Sequence, residues 1–466
     1  IHWYWTKVRT TCPNLVWFDL AHIRYMPNQN PTSRLRRWQA LTVILLVFGY
    51  AGYYLCRSNF SVALPLIIDD LTARGWDAND AKVRLGWLAS LGVFAYAIGK
   101  FFSGGLADWL GGRRTFLLGT AGAIGCTALF AAGGAMPVFT LAWVLNRLLQ
   151  SMGWPGAVKL ASRWFSYSTY GTAMGFISLS YLFGDALARQ FMGWLIGRGF
   201  GWRAVFFSAA GVLLAIFLAN ALLLRESPRE IGEVEPEADP ANLIAANDES
   251  SRVDWRSLLA AFVRSPAFWI VCALSLGCTL LRETFNIWTP TYFIEVAGMT
   301  KAEAAGKSAL FPFFGGLSVL LAGFISDKLG RNGRSLIILI GLLLSSVGLW
   351  MLGHTELARA SLALPVVLVA AVAFTLMGPY SYLAGAISLD LGGKRGGATA
   401  SGLIDGVGYL GGVLAGGSVA RISVVYGWRG AFTALSGVAL LSSLAALLFL
   451  LEQRRSLKTK VGMEAP

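Results

Sequence analysis

The sequence predicts an all-α membrane protein of twelve transmembrane helices, built as two six-helix halves related by a pseudo-twofold axis. Three observations predict it. The 466 residues are 55% hydrophobic and only 14% charged, against about 25% charged in soluble domains. Apolar runs of about 20 residues, the length that crosses a hydrocarbon core, recur along the whole chain. The second half of the chain also repeats the first.

The expected spans are 38–66, 84–107, 115–134, 136–162, 170–197 and 203–224 in one half, and 266–294, 304–326, 335–353, 361–388, 397–424 and 429–451 in the other. The halves are therefore 38–224 and 266–451. They are separated by a polar linker, 225–265, whose run from Glu226 to Asp239 is charged, carries Pro228 and Pro236, and has no apolar helical face. Residues 1–37 form an amino-terminal segment and 452–466 a basic tail. The stretch 1–25 is expected to be non-native: it precedes the first methionine, Met26, and reads neither as a span nor as a secretory signal.

Basic residues collect on one side of the predicted topology, at Arg34, Arg36, Arg37, Arg113, Arg114, Arg163, Lys328, Arg331, Arg334, Lys394 and Arg395 and in the tail. The positive-inside rule then makes both termini cytoplasmic, and a multi-pass protein of a bacterial-type inner membrane is expected. The formal net charge of +14 is spread over short connectors. It therefore points to topology and not to nucleic acid, which would want a basic soluble face. Cys12, Cys56, Cys126, Cys272 and Cys278 lack metal-ligand spacing and read as small core residues. His2, His22 and His354 fall outside the spans. No metal or other cofactor is expected. The chain shows no nucleotide-binding loop and no nucleophile–base set, so an enzyme is not expected; a monomer embedded in the lipid bilayer is.

The repeat is visible residue by residue. Gly201-Trp202-Arg203 recurs as Gly427-Trp428-Arg429 at an offset of 226, and Arg57 and Arg282 stand 225 apart. The run Gly104-Gly105-Leu106-Ala107-Asp108 with Arg113 and Arg114 has a partner in Gly323-Phe324-Ile325-Ser326-Asp327 with Arg331 and Arg334, offset by 219. Duplicated halves around a midplane site are a transporter architecture. Arg57 and Arg282 lie inside apolar spans, where a charge costs several kcal/mol unless it faces a partner or a watery cavity. A matched pair suggests a central anion site. Tyr50, Tyr54 and Arg57 share a helix face at i, i+4 and i+7 spacing. Lys100 would add a third positive charge, and Tyr96 and Tyr409 offer further hydroxyls and ring faces.

The segment Gly104 to Arg114 and its second copy resemble the loop motif of the major facilitator superfamily. That resemblance implies gating contacts for Asp108, Arg113, Arg114, Asp327, Arg331 and Arg334. Within the superfamily, the chain resembles the organophosphate:phosphate antiporters, which include glycerol-3-phosphate and hexose-6-phosphate carriers. The stretch Gly49 to Arg57, the Tyr96/Lys100 pair, Gly153-Trp154-Pro155, and Leu281-Arg282 with Trp288 to Tyr292 carry the likeness, with Gly408 to Gly412. It implies that Arg57 and Arg282 bind substrate and that an organic phosphate is exchanged for inorganic phosphate. Two departures stand out. Tyr181 occupies the place of a helix-five histidine, and Ser58 follows Arg57 where a second basic residue is usual. Arg147 and Gln150 resemble a helix-four motif widespread in the superfamily, proton-coupled members included. The run Arg57 to Ala63 also resembles the sister family of anion:cation symporters. Asp185, Asp405 and Glu283 are therefore candidates for proton binding or for charge pairing, Asp185 with Arg189 one turn away. Proton-coupled uptake of organic anions such as sugar acids, and sensing of a sugar phosphate without transport, stand as alternatives to antiport.

Overall fold

Nineteen-residue-and-longer apolar stretches can bury their backbone in lipid only as helices, since each peptide group must find its partner within the segment. Among the described residues of this computed structural model, 32–235, 255–354, 363–383 and 385–463, every regular element is accordingly helical. The stretch 1–25 lies outside the described residues, as do the side chains of Asp108, Asp327 and Arg331.

The first half contains α1 (Ser33–Ala73), α2 (Ala78–Leu110), α3 (Gly112–Ala132), α4 (Met136–Gln150), α5 (Gly153–Trp164), α6 (Tyr167–Gly197) and α7 (Trp202–Leu223). A short α8 (Trp255–Arg264) precedes α9 (Pro266–Glu295), α10 (Lys301–Ser308), α11 (Leu310–His354), α12 (Ala363–Leu383), α13 (Ala386–Leu414) and α14 (Gly417–Met463). Nine stretches of described residues are long and apolar enough to cross a membrane, and the rest of the expected twelve have local explanations. The fourth span, expected unbroken over 136–162, is two helices meeting at Ser151–Met152. Pro155 has no N–H to give the carbonyl four residues back, which is that of Ser151. In α6, Asp185 and Arg189 interrupt the apolar run. The single stretch Ala400–Arg455 contains the eleventh and twelfth spans, separated at Gly427, where φ is +67°.

Within 225–265 the described residues form a 3-10 turn at Pro228–Ile231 and the helix α8. The helix α8 is packed against the start of α9 by Phe262, which stacks on Phe268 at 5.3 Å. Cys56, Cys126, Cys272 and Cys278 are free and buried, and Cys12 lies outside the described residues.

The duplicated Gly-Trp-Arg motif has a shared structural task. Trp202 Nε1 donates to Asp70 Oδ2 near the end of α1 (3.1 Å), and Trp428 Nε1 donates to Glu295 Oε2 at the end of α9 (2.7 Å). Each tryptophan thus anchors the last helix of its half to a carboxylate at the end of the first. Glu295 is held again by Lys82 of α2 at 2.7 Å, a contact that crosses between the halves.

The two halves meet where α2 packs on α13 and α14 and where α6 packs on α10 and α11. Bonds across that seam run from the middle of the molecule to one end. They include Ser61 Oγ to the Ile287 carbonyl (2.8 Å), Lys82–Glu295, and an ion pair between Lys301 and Asp69. At the break between α13 and α14, Gly417 N–H donates to Ser90 Oγ (3.0 Å), which donates to the Val413 carbonyl (2.5 Å). A hydroxyl from the first half thus satisfies backbone groups freed by a helix break in the second.

At the other end, the start of the linker is fastened to the first half by Glu226. Its carboxylate accepts from the N–H groups of Gly112 (2.9 Å) and Arg113 (2.7 Å) and pairs with Arg163 (3.1 Å). These are orphan donors of the first turn of α3, where negative charge is favoured. Gly111 makes the approach feasible: φ is +89°, and a Cβ there would meet Glu226 Oε1 at 3.1 Å. Glu226→Gln should remove the charge and one good acceptor, costing about 1–2 kcal/mol. A lowered melting temperature of the detergent-solubilised protein is the expected result; an unchanged one would show that the clamp contributes nothing.

Candidate functional site

The middle of the bundle holds a cavity of about 60 Å3, lined by residues of α1, α2, α4, α6 and α9, and therefore by both halves. Its charged lining consists of Arg57, Arg147, Asp185, Arg189, Arg282 and Glu283, with Tyr54 beside them. A larger cleft of about 590 Å3 lies by Trp109, Arg113, Arg114, Lys159, Arg163 and Glu226. All of its lining comes from the first half and the start of the linker, so motion of one half against the other would not expose it to alternate sides.

Arg57 and Arg282 both reach the central cavity, but in different electrostatic settings. Arg282 Nη2 pairs with Glu283 Oε1 at 2.6 Å and donates to the Tyr409 hydroxyl at 3.3 Å. Its guanidinium also lies 4.5 Å from the centre of the Tyr380 ring. Arg57 forms no ion pair among the described residues. Its guanidinium instead covers the rings of Tyr96 at 4.7 Å and Tyr54 at 5.3 Å, where the ring quadrupoles attract it. Position 58 explains the asymmetry within the repeat: the residue after Arg57 is a serine, whereas the residue after Arg282 is a carboxylate.

Lys100 sits beside the same tyrosines and is paired with Asp405 of α13 at 2.5 Å. Its ammonium lies 4.7 Å from the Tyr409 ring and 5.4 Å from the Tyr96 ring, and these rings pack on each other at 5.4 Å. Of the remaining tyrosines, Tyr54 lines the cavity and Tyr50 does not. Tyr50 is buried against Trp154 (5.3 Å) and Tyr53 (5.7 Å), a packing position that helical spacing alone could not distinguish from a lining one. Tyr181 meets the edge of Trp154 at 6.3 Å.

Asp185 and Arg189 are paired at 3.0 Å and almost wholly buried. Ser58 donates to Asp185, while Arg189 donates to the Asn286 carbonyl (3.0 Å) and to Ser308 Oγ (3.3 Å). This network ties α1 and α6 to α9 and α10 across the seam. Among the connector residues whose side chains are described, Arg113, Arg114 and Arg334 do not line the central cavity. Arg113 serves the Glu226 clamp and donates to the Ala221 carbonyl at 2.7 Å, Arg114 lines the outer cleft, and Arg334 pairs with Asp390 at 3.0 Å.

One cavity residue was legible in the sequence only as part of a helix-four motif. Arg147 is 3% exposed, and its guanidinium lies 4.8 Å from the centre of the Tyr96 ring. Its Nη1 is buried without a hydrogen-bond partner among the described residues. The signal that could have found it was its position: an arginine inside an apolar span, like Arg57 and Arg282.

Two helical halves closing on a buried, charged cavity are the arrangement of a membrane transporter. The chain belongs to the Major Facilitator Superfamily, whose family model matches residues 46–416. It is 28% identical over 446 residues to a probable hexose phosphate transport protein of Chlamydia pneumoniae, covering 92% of this chain and 94% of that one. It is 27% identical to the membrane sensor protein UhpC of Salmonella typhimurium, covering 90% and 93%. Among solved structures, a D-xylose-proton symporter superposes with a TM-score of 0.69 at 15% identity, covering 87% of this chain and 96% of that one, a likeness of fold alone.

Proposed function

We propose that this protein exchanges an organic phosphate, of the sugar phosphate or glycerol phosphate type, for inorganic phosphate by alternating access. The observation that carries the reading is the charge balance of the cavity together with the Lys100–Asp405 pair beside it. Five cations (Arg57, Lys100, Arg147, Arg189, Arg282) meet three carboxylates (Asp185, Glu283, Asp405), and each carboxylate is already taken by one cation. Two positive charges remain. A phosphate monoester carries between one and a half and two negative charges near pH 7, and guanidinium forks match its oxygens. A loaded site is then close to neutral, whereas an empty one keeps two positive charges in a low-dielectric interior, which is costly. Reorientation is accordingly fast when loaded and slow when empty, the behaviour of an exchanger. Lys100, Tyr54, Tyr96 and Tyr409 would shape the remainder of the site, and both termini are cytoplasmic in this reading.

The same pairing disfavours proton-coupled symport: among the described residues, Asp185, Glu283 and Asp405 each have a cationic partner that favours the ionised carboxylate. The likeness to a membrane sensor favours a second reading, in which the site binds a sugar phosphate and signals without carrying it. Purified protein in liposomes preloaded with phosphate separates these readings. Uptake of labelled phosphate that requires internal phosphate and ignores an imposed proton gradient is expected. Gradient-driven uptake without internal phosphate would overturn antiport, and binding without flux would establish the sensor.

A further inference from the structure

We infer that Arg147 is a direct ligand of the transported anion, acting together with Arg57, and that this pair makes the site select a dianionic phosphoryl group over a monoanionic one. The inference rests on the phosphate reading above and deepens it.

The repeat singles out Arg57 and Arg282 as a symmetric pair, yet Arg282 has its own carboxylate at 2.6 Å. Lys100 and Arg189 have theirs at 2.5 and 3.0 Å. Among the described residues, the cavity cations without an ion-pair partner are Arg57 and Arg147. They are neighbours: their guanidiniums lie 4.7 and 4.8 Å from the centre of one ring, that of Tyr96. Two like charges on one ring, in a cavity shielded from water, repel each other unless an anion lies between them.

Arg147 also has the stronger need for a ligand. It is buried at 3% exposure, with Nη1 lacking a hydrogen-bond partner among the described residues in a cavity it lines. Leaving a charged donor buried and unsatisfied is expensive, and such groups require an explanation. Its neighbours on α4 are differently placed. Asn146 bonds to Thr127 Oγ1 (2.9 Å) and Gln150 to the Cys56 carbonyl (3.0 Å), so the helix is held by its other polar residues while Arg147 is left for the cavity. A phosphoryl group seated between Arg57 and Arg147, with Arg282 approaching from the other half, would satisfy Nη1 and cancel both remaining charges. A monoanion would leave one of them buried.

The test is equilibrium binding of labelled inorganic phosphate to the purified full chain at pH of about 5.5 and about 8, where phosphate is mainly mono- and dianionic. Wild type, Arg147→Gln, Arg147→Lys and Arg57→Gln are compared, each first shown to elute as folded protein. Wild type is expected to bind more tightly at the higher pH. Arg147→Gln should lose about 10- to 100-fold in affinity there, the worth of one charge-assisted contact, and should lose the pH preference. Arg147→Lys should recover most of that preference, because it restores the charge. Folded Arg147→Gln that keeps wild-type affinity, or that weakens equally at both pH values, would overturn the inference while Arg57→Gln still tests the parent reading. Absence of phosphate binding by wild type at either pH would overturn both.

Discussion

Arg57→Lys is expected to lower phosphate exchange in liposomes by about 10- to 100-fold, although the formal charge is unchanged. Lysine offers a point charge where arginine offers a planar fork, and that fork both lies over the Tyr54 and Tyr96 rings and can engage two oxygens of one phosphoryl group. Losing one charge-assisted contact of that kind is worth about 1.5–3 kcal/mol. The decrease should appear in the concentration of phosphate needed for half-maximal exchange as well as in the maximal rate. Wild-type exchange by this variant would remove Arg57 from the site and with it the charge balance on which antiport rests.

The largest loss of stability is expected for Asp185→Asn. Arg189 is 2% exposed, and Asp185 supplies its only ion-pair partner among the described residues. Removing one member of a buried pair leaves a charge that neither water nor protein neutralises, a cost of about 3–5 kcal/mol. The effect should be read as accelerated heat inactivation in detergent. Because Arg189 also binds Asn286 and Ser308 of the second half, the variant should in addition loosen the seam at that end. Replacing both members, Asp185→Asn with Arg189→Gln, should restore much of the stability, since no uncompensated charge remains. If the single variant melts like wild type, the network is not the brace described here.

Much of the molecule was legible without coordinates because its strongest signals are local. Span length follows from bilayer thickness, and Gly427, with φ of +67°, falls between the eleventh and twelfth spans as expected, whereas the break of the fourth span before Pro155 was not expected although the proline stood in plain view. The repeat predicted equivalent residues, and Trp202 and Trp428 do perform equivalent tasks on Asp70 and Glu295. Helical periodicity was less informative for the tyrosines. Tyr50 and Tyr54 share a helix face with Arg57, yet Tyr50 packs into the amino-terminal half while Tyr54 lines the cavity.

By itself, the sequence determined the class of protein, the two halves, and which charged residues interrupt apolar helices, because these depend on composition along single helices and on the repeat between them. Only the tertiary structure decided which of those charges remain available. Lys100 meets Asp405 across 305 residues, and Ser58 meets Asp185 across 127. Which carboxylate neutralises which cation thus depends on the helices that become neighbours, and no local pattern encodes that. The symmetry of the repeat pointed to Arg57 and Arg282, whereas among the described residues packing left Arg57 and Arg147 without an ion-pair partner. The physical reason is that electrostatics in a low-dielectric interior acts between partners a few ångströms apart in space, wherever they stand in the chain.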